Sequence, residues 1–445
     1  MKRYKYFYLV LTLGFVFRVF LTPYGTYRGD MKTWLKWANG VYEVGFNQFY
    51  ATYPCDYLPG YIYVLWLLQK IHISLPSLPE KTLFKLPANI ADLGIALVIF
   101  YSLLKITNHR KAALSSLAFF FNPASIANST LWGQVDSVNV LPLLIAISIG
   151  LRGFFTASVT FAIIGLMIKP LSIVIFPIIG FLILRDIFRR RGENNIEVKR
   201  LFLGIKILAA SVITMYVFTI PYIGDDFELA LKLDTLVRPI HFIYARFIES
   251  YNSYPITSAN AFNFWGLIHG MWVSDQTKFL NLTYQSWGTI IFTLIYALIL
   301  ISLVRHEIIN KDNDLKDVSY LTFQSATLIF FALFLFVTRA HERHLLPAIV
   351  FFTMLLFHSR LNWVLYATVS VCYVINMYYA HIMRIPIESF PFKYVTKLMI
   401  KPLIPLIVIT LISVFVIVIV DFTLEVIENR RNKMYKIDIK QHVKN

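Results

Sequence analysis

A carboxylate stands directly behind the first apolar stretch of the chain. Asp30 heads a helical pattern in which Met31, Trp34, Leu35, Ala38, Val41 and Tyr42 fall on one side and Lys32, Lys36, Asn39 and Glu43 on the other. An acid placed there can cap the helix that follows, or exchange a proton with a hydroxyl at the edge of water. Thr33, where a capping box needs Glu or Gln, gives the capping role no support. Asp56 is a second acid in the same polar stretch. Farther along, Thr338-Arg339-Ala340-His341-Glu342-Arg343-His344 concentrates charge. Arg339 and Arg343 are four residues apart, so a continuing helix sets both on one face, where with His341 they can hold a phosphate. Arginines snorkelling at a helix end give the same pattern. His341 and His344, with Glu342 between them, lack the H-E-x-x-H spacing of a zinc protease. Lys169, just ahead of Pro170, is either a second phosphate contact or an isolated exception to the charge topology. In Trp132-Gly133-Gln134-Val135-Asp136-Ser137 the indole can stack on a sugar ring while Gln134 and Asp136 bond its hydroxyls. Equally, Gly133 can make a turn and Asp136 cap the next segment. Asn260, Asn263 and Trp265 offer two amides and an indole to a sugar or phosphate, or form an ordinary interfacial turn.

The elements that must position these residues are apolar. Of 445 residues, 57% are hydrophobic and 15% charged, where a soluble protein carries about a quarter charged. Runs long enough to span a bilayer lie near 4–22, 83–106, 111–130, 137–151, 153–168, 171–186, 201–221, 287–304, 319–338, 345–359, 361–379 and 402–421. The expected fold is therefore all-α: one polytopic membrane domain over 1–445 with about twelve spans. The net charge of +17 is distributed in short clusters between the apolar runs, which excludes a nucleic-acid partner and reads as topology. If 57–73 rests in the interface, Lys2/Arg3/Lys5, Arg110/Lys111, Arg152, Arg185, Arg189–Arg191, Lys199/Arg200, Arg305, Arg360 and the tail 428–445 all fall inside. Both termini are then cytoplasmic, in a multi-pass protein of the cell membrane. The long loops 23–82 and 222–286 face out, the first with interfacial helices at 31–44 and 57–73. Cys55 and Cys372, one in an aqueous segment and one in an apolar run, give no disulfide framework, and no cleavable signal peptide is expected.

In this topology every polar motif named above faces outward. That suits a substrate with a lipid tail in the bilayer and a polar head in water, with membrane lipids as partners. A lipid or solute transporter, or flippase, is the alternative, and it predicts polar breaks near the midplane instead. A catalytically silent scaffold is a third reading.

Taken in order, R-G-D-M-K-T-W-L-K-W-A at 28–38, C-D-Y-L-P-G-Y at 55–61, K-L-P-A-N-I-A-D-L at 85–93, F-N-P-A-S-I-A-N-S-T-L-W-G-Q-V-D-S at 121–137, I-K-P at 168–170, S-A-N-A-F-N-F-W at 258–265 and T-R-A-H-E-R-H-L-L-P at 338–347 resemble a known family. It comprises the bacterial and archaeal mannosyltransferases related to the second mannosyltransferase of GPI-anchor assembly, of the GT-C class. The resemblance covers roughly residues 1–350; Leu58 stands where the related pattern usually has a second proline. It implies a hexosyltransferase that uses a polyprenyl-phosphate sugar, mannose by the resemblance, as co-substrate, and a glycan, lipid or protein hydroxyl as acceptor. It also implies an active site on the outer face, with Asp30 as the general base of an inverting transfer. Arg339, His341, Glu342, Arg343, Lys169, Trp132, Gln134, Asp136, Asn260, Asn263, Trp265 and Asp56 are then substrate contacts. The expectation is that the acid behind the first span and the arginine–histidine segment serve one pocket.

Asp92 lies roughly 14 Å inside the second span by helical rise; it is either a functional intramembrane carboxylate or is paired with Asn89, Lys85 or a neighbouring helix. Asp225-Asp226 is too little for a metal site, and Asn310-Lys311-Asp312-Asn313-Asp314 lacks the glycine and distal glutamate of a calcium loop. No metal or other cofactor is expected.

Overall fold

The computed structural model describes residues 4–26, 28–189, 196–223, 233–309, 314–384 and 398–442. In chain order its principal helices are α1 (Lys5–Leu21), α2 (Arg28–Thr52), α3 (Pro59–Ser74), α4 (Glu80–Leu103), α5 (His109–Phe120), α6 (Asp136–Gly150), α7 (Phe155–Ile168), α8 (Phe176–Arg189), α9 (Ile196–Thr219), α10 (Leu233–Asn252), α11 (Phe264–Ile268), α12 (Tyr284–Ile309), α13 (Leu315–Phe336), α14 (Leu346–Thr353), α15 (Arg360–Arg384) and α16 (Leu403–His442). A π-helical segment, Ile126–Trp132, leads into α6. Asp225-Asp226, Lys2, Arg3, Arg190, Arg191 and residues 310–313 lie outside the described residues, as do the side chains of the basic tail.

Seven helices among the described residues are long and apolar enough to cross a membrane, by length and composition: Glu80–Leu103, Pro170–Arg189, Glu197–Tyr222, Tyr284–Ile308, Leu315–Phe336, Arg360–Met383 and Leu403–Val426. The remaining apolar runs form shorter elements. The run at 111–130 is divided where Pro123 ends α5 and the π segment begins, and the run at 345–359 holds the eight-residue α14. The regular structure of the described residues is helical as expected, apart from four two-residue strands. These are β1 (Ser258–Ala259), β2 (Lys278–Phe279), β3 (Leu282–Thr283) and β4 (Ala340–His341). β1 pairs in parallel with β4, and β2 with β3 as a hairpin.

Contacts group the chain into two compact units, 1–100 with 116–179 and 192–254, and 101–115 with 180–191 and 255–445. In the first, α2 buries Met31, Trp34, Ala38 and Val41, and exposes Lys32, Lys36, Asn39 and Glu43, as its pattern predicts. Two side chains depart from that pattern: Tyr42 is exposed and Trp37 is buried, its indole donating to Pro54 O at 3.0 Å. The helix runs on to Thr52 through a bend at Gly45, whose φ of 75° suits glycine. Beyond the bend Phe46 packs on Tyr63, Trp66 and Tyr222, and Tyr50 on Tyr222 and Phe242. Each such ring pair contributes about 0.5–1.5 kcal/mol beyond area burial, so this cluster fastens the first loop to the turn after α9 and to the middle of α10. Pro59 opens α3 at a position where a missing N–H costs nothing. A Cβ at Gly60 would meet Met167 O at 2.7 Å, so glycine lets α3 approach the backbone of α7.

In the second unit α13 is buried along most of its length against α12, α14 and α16. Its Tyr320 and Gln324 donate to Asp421 of α16, at 3.2 and 2.9 Å.

Candidate functional site

Asp30 is the third residue of α2, not a cap preceding a helix at 31. A first-turn acid is favoured by the helix dipole, but the carboxylate is held from elsewhere. Trp132 Nε1 donates to Asp30 Oδ2 at 2.9 Å, and Gln134 Nε2 makes a close hydrogen bond to the same oxygen. Oδ1 takes no hydrogen bond, and no cation lies within ion-pair distance of the carboxylate, among the described residues. The structure thus brings Asp30 together with Trp132 and Gln134, more than a hundred positions farther along the chain. Gln134 is buried, and its Oε1 has no partner among the described residues, so Asp30 is what orients the amide.

The local fold behind this trio follows from the π segment. It ends on Gly133, at φ 87°, and the amides of Gly133 and Gln134 both donate to Asn128 O, at 3.1 and 2.9 Å. This hairpin-like end turns Trp132 and Gln134 toward the same neighbour. Asn128 also donates through Nδ2 to Asp136 Oδ2 at 3.1 Å, and the other oxygen of Asp136 forms a close ion pair with Lys169. Asp136 is therefore neither the cap of α6, whose first residue it is, nor isolated from Lys169. The two form one neutral pair. The Lys169 ammonium also lies 5.8 Å from the Tyr57 ring, in the turn that carries half-buried Asp56. Beside Asp56, burial pushes the Cys55 thiol well above its usual value, so it supplies no thiolate nucleophile near neutral pH.

Beneath the trio lies a buried ion pair. Arg18 of α1, 1% exposed, reaches Asp92 of α4, 0% exposed, at 2.6 Å. It also donates to Thr130 Oγ1 at 3.1 Å and Ser125 Oγ at 2.7 Å, and closely to Phe120 O. Ser137 Oγ completes the Asp92 shell at 2.5 Å. The partner of Asp92 is thus a neighbouring helix, and Asn89 and Lys85 bond other groups.

In the second unit the 338–344 segment does not continue α13 as a helix. Arg339 has φ 66°, Ala340 and His341 form β4, and Glu342–Leu345 make a 3-10 turn, so Arg339 and Arg343 do not share a helical face. Arg339 donates from Nε to Asp275 Oδ2 at 2.7 Å, and Thr338 Oγ1 donates to the same oxygen at 3.1 Å. Arg343 Nη1 reaches Glu342 Oε1 at 3.3 Å and lies 3.4 Å from His341 Nδ1. The 260–265 stretch closes around this segment. Asn260 (φ 63°) takes the Trp272 indole N–H on Oδ1 at 2.8 Å and the Asn376 amide on its carbonyl at 2.6 Å. Asn263 Oδ1 caps α11 through Gly266 N at 2.8 Å, and Trp265 Nε1 donates to Phe336 O at 2.6 Å. Asp275 and Arg18 belong to no motif in the sequence, and Asn128 lies in the 121–137 motif with no role read for it; the ion-pair partners of Asp275 and Arg18 lie 64 and 74 residues away. Among the described residues no group of three or more His, Cys, Asp and Glu is arranged to hold a metal ion.

No protein-family model matches the chain, and no curated protein matches it at a significant level.

Proposed function

We propose that the chain is an inverting membrane glycosyltransferase of the GT-C class, moving a hexose from a polyprenyl-phosphate donor to an acceptor hydroxyl. The motif resemblance suggests both the class and mannose as the sugar. The observation that supports the chemistry is the Asp30 carboxylate: oriented through one oxygen by an indole and an amide, paired with no cation among the described residues, and presenting its other oxygen. In the reaction the acceptor oxygen bonds to the anomeric carbon as the bond from that carbon to the phosphate oxygen breaks. Polyprenyl phosphate leaves with the electron pair, and the hydroxyl proton passes to Asp30. Such assistance is worth about 10²–10⁴ in rate. Trp132 and Gln134 orient the base, and Lys169 with Asp136 lines the same part of the chain.

In this reading α1, the α5–π stretch, α6, α7 and α14 with its flanks join the seven long helices to make twelve spans. α2 and α3 lie in the interface, both termini are cytoplasmic and Asp30 is at the outer face. The test is incubation of the purified protein in vesicles with labelled polyprenyl-phosphate mannose and a mixture of glycan and lipid acceptors. Sugar transfer supports the assignment. Transbilayer movement of the label without transfer replaces it with a flippase.

A further inference from the structure

Lys85 is fully buried in α4, and its ammonium donates to three main-chain carbonyls: Thr22 O at 2.6 Å, Tyr24 O at 2.8 Å and Leu131 O at 2.8 Å. An ammonium has three N–H donors, so all are directed at backbone. The acceptors belong to two pieces of chain. Thr22 and Tyr24 lie in the turn between α1 and α2, on the approach to Asp30. Leu131 lies in the last turn of the π segment and immediately precedes Trp132. Carbonyls at helix ends lack the amide that would continue the ladder, and a fixed cation can hold several of them together.

Two further contacts show that the lysine is built into this junction. A Cβ on Gly133 would meet Lys85 Cγ at 2.7 Å, so the lysine stem occupies the space the glycine leaves. Asn89 Nδ2 donates to Lys85 O at 2.9 Å, and its Oδ1 accepts from Thr130 Oγ1 at 2.6 Å, tying the π segment to α4 a second time.

We propose that Lys85 is a positioning residue: its ammonium clamps the approach to α2 against the end of the π segment and so sets Asp30 within reach of Trp132 and Gln134. Its effect on sugar transfer rests on the function proposed above, but the geometry is measurable without turnover. In the full chain with Cys55 and Cys372 replaced by alanine, Asp30→Cys and Gln134→Cys are bridged by a short bis-methanethiosulfonate. Lys85→Met keeps the bulk and removes the donors; it should slow bridging about tenfold or more, since displacements of an ångström suffice for such effects. Gly133→Ala, which pushes on the lysine stem from the other side, should do the same and serves if Lys85→Met does not fold. Unchanged bridging in the folded variants overturns the clamp.

With Asp30 and Gln134 intact, Lys85→Met should lower kcat by about 10²-fold while KM for donor and acceptor stays unchanged. In a Gln134→Leu background the same substitution should cost little more, because both act through one contact. Additive losses, or a loss confined to KM, contradict the positioning role. If the wild-type protein transfers no sugar, the enzyme reading fails and the bridging rates still decide the clamp.

Discussion

Asp30 and Arg339 are both charged groups at the end of a helical stretch, and their surroundings differ in kind. Asp30 is met by neutral donors, Trp132 and Gln134, on a single oxygen. Arg339 is met by the opposite charge of fully buried Asp275, and Arg343 by that of fully buried Glu342. A carboxylate oriented on one oxygen by neutral groups keeps the other oxygen for a ligand. An arginine matched to a carboxylate within its own unit first of all holds that unit together. The difference teaches that charge density in a motif is a poor guide to reactivity. The two arginines of the 338–344 motif are each matched by a buried carboxylate of their own unit.

That contrast can be challenged by removing the balancing partners. The largest effect is expected for Arg18→Met, which leaves Asp92 buried without its cation and should destabilise the first unit by about 3–5 kcal/mol; thermal unfolding in detergent measures it. Asp275→Asn should follow, at about 2–4 kcal/mol, because it strips the counter-charge from Arg339 and weakens the acceptor of Thr338. If Asp275→Asn instead left the melting temperature unchanged and altered only donor use, the arginine would belong to the ligand. Trp132→Phe deletes one hydrogen bond to a carboxylate, worth about 1.5–3 kcal/mol, and should lower turnover about 10- to 100-fold with little change in unfolding. Equal losses in turnover and stability would make the indole part of the scaffold. At the small end, Glu43→Gln on the exposed side of α2 should stay within about 0.5 kcal/mol in stability and leave transfer untouched.

Some of this was legible in the residues. The alternation along 31–43 predicted which face of α2 is buried, because helical periodicity and burial share one cause. Trp37 broke the pattern because its ring packs on Tyr57 and its indole reaches Pro54 O, contacts that periodicity does not encode; nothing in the structure explains the exposure of Tyr42. W-G-Q-V-D-S stood out as polar residues in an apolar chain, and Trp132 and Gln134 do converge on Asp30. Asp136 and Lys169 drew notice separately; that they neutralise each other is a three-dimensional fact with no spacing to reveal it. Arg339 and Arg343 suggested a shared face only on the assumption of a continuing helix, which the left-handed Arg339 ends. Lys85 was noticed only as a candidate partner for Asp92; its bonds to three carbonyls left no trace, since a side chain that bonds carbonyls selects no residue type at its partners' positions.

The most direct test is turnover of Asp30→Asn beside the wild type, with donor binding and melting temperature measured on the same preparations. An asparagine keeps an oxygen for Trp132 and Gln134 and loses only the charge that accepts a proton. The expected result is transfer reduced by about 10²–10⁴, with donor binding and unfolding as in the wild type. Wild-type turnover in the Asp30→Asn protein would contradict it.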